Sequence, residues 1–509
     1  MSAVLEETVT GVETPTAGAS WRAVLALALF EGRRLLLRAP MLCALALYAA
    51  WIGWTAPDYQ GGYPALQDAD RATQLGPLLV ALAVLFCVNQ AVLRSKRRDT
   101  ERHFGVLPLE PWRRTAAHAL SVLPVALLVA VGVGVQFGWS ALKSGAVGSG
   151  SPAELLVGPL AVLLFGAFGV LLARLVPSGF AAPLTIVLFF FFGVAVAVPT
   201  GDDERGTRWL EPIVTDSGGN TLPSDLMGRP AAWHALYLVG LGLTLALVAV
   251  VAAGGRSWVL KGSVAGALAL AVTGGVLQAG ALPQSVTAAR ERASVSPQKV
   301  QSCVRRDGST YCAFPEWAGR VDSWAGVVRE VRSLAGGTAH DQALLVRQRI
   351  DARYGLSADS AIDPATAAHQ VTVGASWGGN RVPEFSTAVA SVLVAGSEKA
   401  TTDLCDGRMV TIMWLGISPL PDPLQSLRNV RLDDSLSGSA IVLSPTNPLS
   451  MTAAQTEVVR ELLAKGRDEI GARVKAHWAE LTAPKLSTAR AAELLGVTAP
   501  KKGLEKCEA

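Results

Sequence analysis

The chain has 509 residues, of which 50% are hydrophobic and only 17% are charged, and its formal net charge is +4. Because a soluble protein carries about 25% charged residues, this composition excludes a soluble protein over the whole length. The deficit is local: residues 116–200 hold few ionisable groups, whereas the sequence after residue 283 is rich in charge. Basic groups cluster at the ends of apolar runs, so we expect no nucleic-acid partner.

The chain divides into three predicted parts. Residues 1–38 form a cytoplasmic tail and an interfacial helix, residues 39–282 a transmembrane domain, and residues 283–509 an extracytoplasmic C-terminal domain. The apolar run that begins at residue 21 is too short to span a bilayer and ends in basic residues, which favours a helix lying on membrane lipid. The alternative is a basic preamble to the first span, without a separate helix.

Seven apolar runs predict transmembrane helices. They cover about residues 40–55, 75–93, 116–139, 153–176, 181–198, 233–253 and 258–282. The last run is rich in Gly and Ala, which leaves open whether it is a span. The expected fold class is an all-α polytopic membrane protein with about seven transmembrane helices and a mainly α C-terminal soluble domain.

The loop of residues 94–115 lies between the second and third runs and is strongly basic. Its Lys and Arg residues are Arg94, Lys96, Arg97, Arg98, Arg102, Arg113 and Arg114. A short loop this basic between two spans stays in the cytoplasm. Alternation then places the N-terminus inside and the C-terminal domain outside the cell membrane. The loop is either a topology signal alone or a docking surface for a cytoplasmic partner.

Apolar spacing predicts a mainly helical C-terminal domain. The predicted helices cover residues 316–334, 341–354, 382–396, 452–481 and 486–495. Residues 408–415 are β-branched and rich in Met, and predict a buried strand or a short helix.

Cysteine positions predict two disulfides in the C-terminal domain. Two of the six cysteines, Cys43 and Cys87, lie in spans and are expected to pack there. The other four are Cys303, Cys312, Cys405 and Cys507. Three pairings are possible; the simplest joins the first two and the last two, since the first bond closes a hairpin with Asp307 and Gly308 at its turn. Metal binding is the rival, but the spacing matches no ligand pattern, so we predict no metal site.

The sequence carries neither a P-loop nor a zinc-peptidase signature. It has no G-x-x-x-x-G-K-[ST] and no H-E-x-x-H. We therefore predict no catalytic residue, no cofactor-binding residue and no enzyme activity, and expect any ATP hydrolysis in a partner subunit. The middles of the spans hold essentially no acid or base, which argues against an ion-coupled transporter. Such an interior would tolerate a hydrophobic or amphipathic substrate.

Residues 20–255 resemble the membrane subunits of ABC-2-type ABC exporters, in the large form found in actinobacteria. The resemblance lies in the helix before the first span and in the charged loop RDTERHFGVLPLEPWRR, with its Leu-Pro step. It implies that this loop docks on a separate ABC ATPase, and that the permease pairs with itself or with a sister subunit. The positions that match the coupling helix of the family are Asp99, Thr100, Glu101, Gly105, Leu107 and Pro108.

The tail departs from most members of that family, which end after six spans. Its run from Cys303 to Tyr311-Cys312-Ala313-Phe314-Pro315 is similar to the extracytoplasmic tails of some actinobacterial permeases. The alternative function is a membrane-anchored extracytoplasmic binding or sensor protein without transport activity. A membrane enzyme is a third interpretation, for which no catalytic constellation is visible.

Overall fold

A computed structural model describes residues 17–98, 109–196, 207–214, 221–353 and 362–499. These residues are mostly helical and include a four-stranded mixed sheet and a two-stranded antiparallel sheet. Within these residues, five helices are long and apolar enough to cross a membrane, or six if one bent pair forms a single span. The prediction of a mostly helical chain is confirmed, and the candidate spans are compatible with a membrane protein.

Helices dominate the first 295 residues, which we call the membrane half. The helices are α1 (Ala17–Leu36), α2 (Ala39–Thr55), α3 (Leu66–Ala72), α4 (Leu75–Val92), α5 (Arg94–Arg97), α6 (Pro111–Leu120), α7 (Leu123–Ala141), α8 (Pro152–Leu175), α9 (Ala181–Val196), α10 (Ser224–Met227), α11 (Ala231–Ala252), α12 (Trp258–Ala279) and α13 (Gln284–Val295). Pairs of consecutive helices form longer units: α3 with α4, α6 with α7, and α12 with α13.

Two predicted spans differ from the five long helices. The first is α2, which forms a bent pair with α1 at an angle of 66°. Pro40 is the second residue of α2. It has no N–H to donate to the carbonyl of Leu36, and its ring would clash with that carbonyl if α1 continued, which explains the break. The fifth predicted span, 181–198, is the short helix α9, and residues 197–198 lie outside the described part. The predicted seventh run is the long helix α12.

The two ends of the membrane half differ in character. At one end, the segments after α2 and α7 and the first residue of α10 contact the C-terminal domain; we call this the domain-side end. At the other, α1 packs against α6, Glu31 of α1 pairs with Arg94 of α5, and the turn after α8 contacts α4. We call this the basic end, because it carries the flanks of the predicted basic loop.

The C-terminal domain combines helices with two small sheets. Its strands are β1 (Ser302–Arg306), β2 (Ser309–Ala313), β3 (Leu345–Gln348), β4 (Gln370–Val373), β5 (Ala440–Val442) and β6 (Leu449–Met451). Its helices are α14 (Val321–Leu334), α15 (Arg381–Ala395), α16 (Arg408–Ile417), α17 (Pro423–Val430), α18 (Ala453–Ala464), α19 (Arg467–Ala476), α20 (Trp478–Leu481) and α21 (Thr488–Leu495).

The larger sheet has the order β1-β2-β3-β4, with an antiparallel β1–β2 hairpin and parallel pairing from β2 to β4. The hairpin turns at Asp307 and Gly308, which have positive φ of 47° and 79°, as the sequence predicted. The predicted helix at 341–354 is wrong, because this segment supplies the strand β3 instead. The apolar run at 345–348 is short enough to form either a helix or a strand. Hydrogen bonding to β2 on one side and β4 on the other favours the strand.

The other predictions for this domain agree more closely with the structure. The predicted helix at 382–396 is α15, and residues 408–415 lie in the helix α16 rather than in a strand. The segment 452–481 is divided into α18, α19 and α20. Gly466 precedes α19 and His477 separates α19 from α20.

One apolar core joins the C-terminal domain to the membrane half. Trp317, Trp324 and Trp414 are fully buried at its centre. The same cluster includes Leu222 and Met227 from the domain-side end, beside Ala65 and Val147. The C-terminal domain is therefore not a module on a free tether, but is packed onto the membrane half.

Candidate functional site

The predicted coupling residues Asp99, Thr100, Glu101, Gly105, Leu107 and Pro108 lie outside the described residues. Their flanks are described and belong to two helices, α5 before the segment and α6 after it. The geometry of the basic end therefore shows how the two ends of the predicted coupling loop are held.

The end of the loop is fixed by contact between α6 and α1. Trp112 of α6 meets Trp21 of α1 edge to face, with ring centroids 6.2 Å apart. The indole nitrogen of Trp112 donates to a carboxylate oxygen of Glu110 at 2.6 Å, and the guanidinium of Arg113 lies 5.0 Å from the Trp112 ring centroid. The edge-to-face contact favours one orientation of α1 against α6, and the contacts with Glu110 and Arg113 hold the Trp112 ring in place.

The beginning of the loop is fixed by an ion pair. Arg94 donates to both carboxylate oxygens of Glu31, at 3.2 and 3.0 Å. Glu31 is only 8% exposed, and a bidentate pair between guanidinium and carboxylate is strongly directional. Sequence reasoning did not identify Glu31 as a site residue. The sequence does give an indication of its role, because Glu31 is a single acid at the end of an apolar run. A buried carboxylate needs a nearby cation, and several arginines are close in the sequence.

A second set of contacts joins the start of the loop to the turn between α8 and α9. Arg97 donates to the side-chain oxygen of Gln90, and Gln90 donates in turn to the carbonyl of Gly179 at 3.3 Å. A Cβ at Gly179 would overlap the Arg97 guanidinium, so a larger residue there would displace this side chain from its present position. Arg38, between α1 and α2, donates to the carbonyl of Cys87 in α4 at 2.5 Å.

The basic end also presents a cationic surface. Its exposed basic side chains are Arg22, Arg33, Arg34, Lys96, Arg97 and Arg98. Several cations close together create a positive potential that attracts acidic surfaces and anionic lipid headgroups. The exposed apolar side chains of α1 include Trp21, Leu25 and Leu29, each four residues from the next. The interfacial position of this helix stays a prediction.

The cysteine predictions have different outcomes. Cys303 and Cys312 form a disulfide across the β1–β2 hairpin, as predicted. Cys405 is also disulfide-bonded, whereas its predicted partner, Cys507, lies outside the described residues. Cys43 and Cys87 are free thiols.

No group of three or more His, Cys, Asp or Glu side chains suited to a metal ion occurs in the part of the chain that the structure describes. Comparisons of the chain with known protein families, with curated proteins and with solved structures found no match.

Proposed function

We propose that this protein is the permease subunit of an ABC-2-type exporter in the cell membrane, driven by a separate ATPase. The observation that carries the proposal is the way the basic end holds the loop of residues 94–115. The loop leaves α5 beside Glu31 and returns through α6 against α1, so a partner bound to it would act on helices rather than on a free linker.

Helix α4 offers a route for that action into the membrane. A single residue, Leu93, separates the end of α4 from the start of α5. Helix α4 packs along its length against α8, and it also packs against α2. Interlocked side chains transmit displacement, because packed interiors deform little. A movement of the loop on ATP binding would therefore shift α4 relative to α8 and change the interior of the membrane half.

The composition of the spans supports a hydrophobic or amphipathic substrate. The long helices that cross the membrane half are apolar over most of their length, and intramembrane ionisable groups are the usual marks of ion-coupled transport. In this proposal the energy comes from the ATPase, and the permease works with an identical or a sister permease subunit. The positive-inside rule places the basic end in the cytoplasm and the C-terminal domain outside.

Co-purification in mild detergent, followed by mass spectrometry, tests this proposal. The wild-type protein should retain a P-loop ATPase, and a variant with residues 99–108 replaced by a Gly/Ser linker should lose it while remaining folded. A control variant, Arg329→Ala with Glu330→Ala on the exposed surface of α14, should retain it. The proposal fails if no ATPase accompanies the wild-type protein and partners bind only through the C-terminal domain. That result would favour the alternative function, a membrane-anchored extracytoplasmic binding or sensor protein.

A further inference from the structure

An apolar cavity of about 200 Å³ lies inside the membrane half, between α4, α8, α9 and α11. Its floor is formed by side chains that are almost fully buried: Leu85 of α4, and Leu164 and Phe165 of α8. Pro212 closes it toward the domain-side end, where Ile213 next to it packs into the bundle. The cavity is thus at the depth of the spans rather than at either end.

The lining offers a ligand no free polar group. Every lining side chain is a hydrocarbon except Thr185, and the hydroxyl of Thr185 donates to the carbonyl of Ala181 at 2.8 Å. A water molecule needs two to four polar partners, and apolar cavities of this kind stay dry. An apolar cavity of about 150 Å³ accepts a molecule as large as benzene, so this space admits a hydrocarbon.

The cavity is open on one side. Ile186 and Phe189 of α9 form one rim and Leu241 and Leu245 of α11 form the other, and all four are partly exposed. In the described part of the chain, α9 packs against α4 and α8, but no comparable packing joins it to α11. Next to this opening, α9 exposes further large apolar side chains, Leu184, Leu188 and Phe190. In a membrane, such a surface is in contact with lipid chains.

We infer that this cavity holds an acyl chain of a membrane phospholipid, which enters sideways between α9 and α11. The bilayer hydrocarbon is the material next to the opening, and the apolar floor excludes a headgroup. The site would bind the chain whether or not the protein transports lipid, so it does not depend on an ATPase. Because α4 forms part of the floor, any shift of α4 would change the space available to the chain.

Photo-crosslinking with a defined lipid tests the site. The purified protein is reconstituted into liposomes of phosphatidylcholine that carries a diazirine midway along one acyl chain, irradiated, and mapped by mass spectrometry. Wild type should be labelled at the floor residues Leu85 and Phe165, which are 1% and 4% exposed. Bulk lipid reaches instead outward-facing residues such as Leu127, which is 68% exposed and serves as the internal reference.

The substitution Leu245→Trp should fill the cavity and abolish floor labelling while leaving the label at Leu127 unchanged. The matched control, Leu127→Trp, should keep floor labelling. Leu241→Trp provides a second filled cavity if the first variant does not fold. Absence of label on the floor in wild type, or floor labelling that persists in a folded filled variant, would overturn the inference. Neither outcome depends on whether an ATPase co-purifies.

Discussion

The guanidinium of Arg320 donates hydrogen bonds to the carbonyl oxygens of Ala375 and Tyr63, each across 2.7 Å. Ala375 belongs to the C-terminal domain and Tyr63 to the segment that follows α2, so one buried side chain joins the two parts of the protein. Burial lowers the pKa of Arg320 to about 10, which leaves the group charged at neutral pH. Together with the shared apolar core, this contact holds the C-terminal domain against the domain-side end.

The substitution Arg320→Ala should loosen this junction. It removes the Arg320 donor of the Tyr63 carbonyl and one of the two donors of the Ala375 carbonyl, which keeps the indole N–H of Trp317. We expect a cost of about 1–3 kcal/mol in the free energy of unfolding. Hydrogen exchange should rise in residues 58–65 and around Ala375, and thermal unfolding should begin earlier. The control is Arg329→Ala, because Arg329 is exposed and pairs with Asp307 at the surface, where a change within about 0.5 kcal/mol is expected. If the two variants changed hydrogen exchange and thermal unfolding equally, Arg320 would not join the two parts of the protein.

The ion pair at the basic end should show coupling. Glu31→Gln or Arg94→Met alone leaves an uncompensated, largely buried charge, and each should destabilise the protein by about 2 kcal/mol. The loss of stability in the double variant should be smaller than the sum of the two single losses, because the double variant removes both charges. Thermal unfolding of the four proteins in detergent measures this difference. Strict additivity would show that the pair does not contribute to holding the loop.

Helices α11 and α12 should tolerate no side chain at Gly240. A Cβ at this position would overlap the backbone nitrogen of Ala271 in α12, so Gly240→Val must separate the two helices, at a cost of about 1–3 kcal/mol. The same change at Gly266 meets no atom within 4 Å and should have little effect on the melting temperature. Both positions lie in apolar helices, so the change in side chain is the same. The difference between the two melting temperatures therefore measures the effect of the close contact between α11 and α12.

The cysteines should divide into two free thiols and four oxidised ones. Alkylation of the denatured, unreduced protein should modify Cys43 and Cys87 alone, the two free thiols, and alkylation after reduction should modify all six cysteines. Intact-mass measurement gives both numbers. Additional free thiols before reduction would contradict the predicted bond between Cys405 and Cys507.

The apolar runs of the membrane half were predictable because a bilayer demands long, uniformly apolar helices. The sequence located α4, α8, α11 and α12 for this reason. Pro40 marks the break between α1 and α2, but the sequence could not predict the angle of 66°, since that angle depends on the packing of both helices. It also missed α3, in which Asp68 and Asp70 are buried; acidic residues next to a span suggested a solvated loop.

The C-terminal domain was less predictable. The disulfide hairpin was found because Asp-Gly between two cysteines is a local turn signal. The strands β3 and β4 are only four residues long and pair in parallel, and parallel pairing depends on contacts that are distant in sequence. At the basic end, the sequence located the loop by its charge. The Glu31–Arg94 ion pair could not be predicted, because its two residues lie 63 positions apart in the sequence.

We propose that ATP acts on the membrane half through the loop of residues 94–115 and then through α4. Hydrogen-exchange mass spectrometry of the purified complex with its ATPase, with and without a non-hydrolysable ATP analogue, measures this action. We predict that nucleotide changes exchange in residues 94–115 and in α4, and that the Gly/Ser linker variant shows no such change. Nucleotide effects confined to the ATPase subunit, with α4 unaffected, would contradict the account.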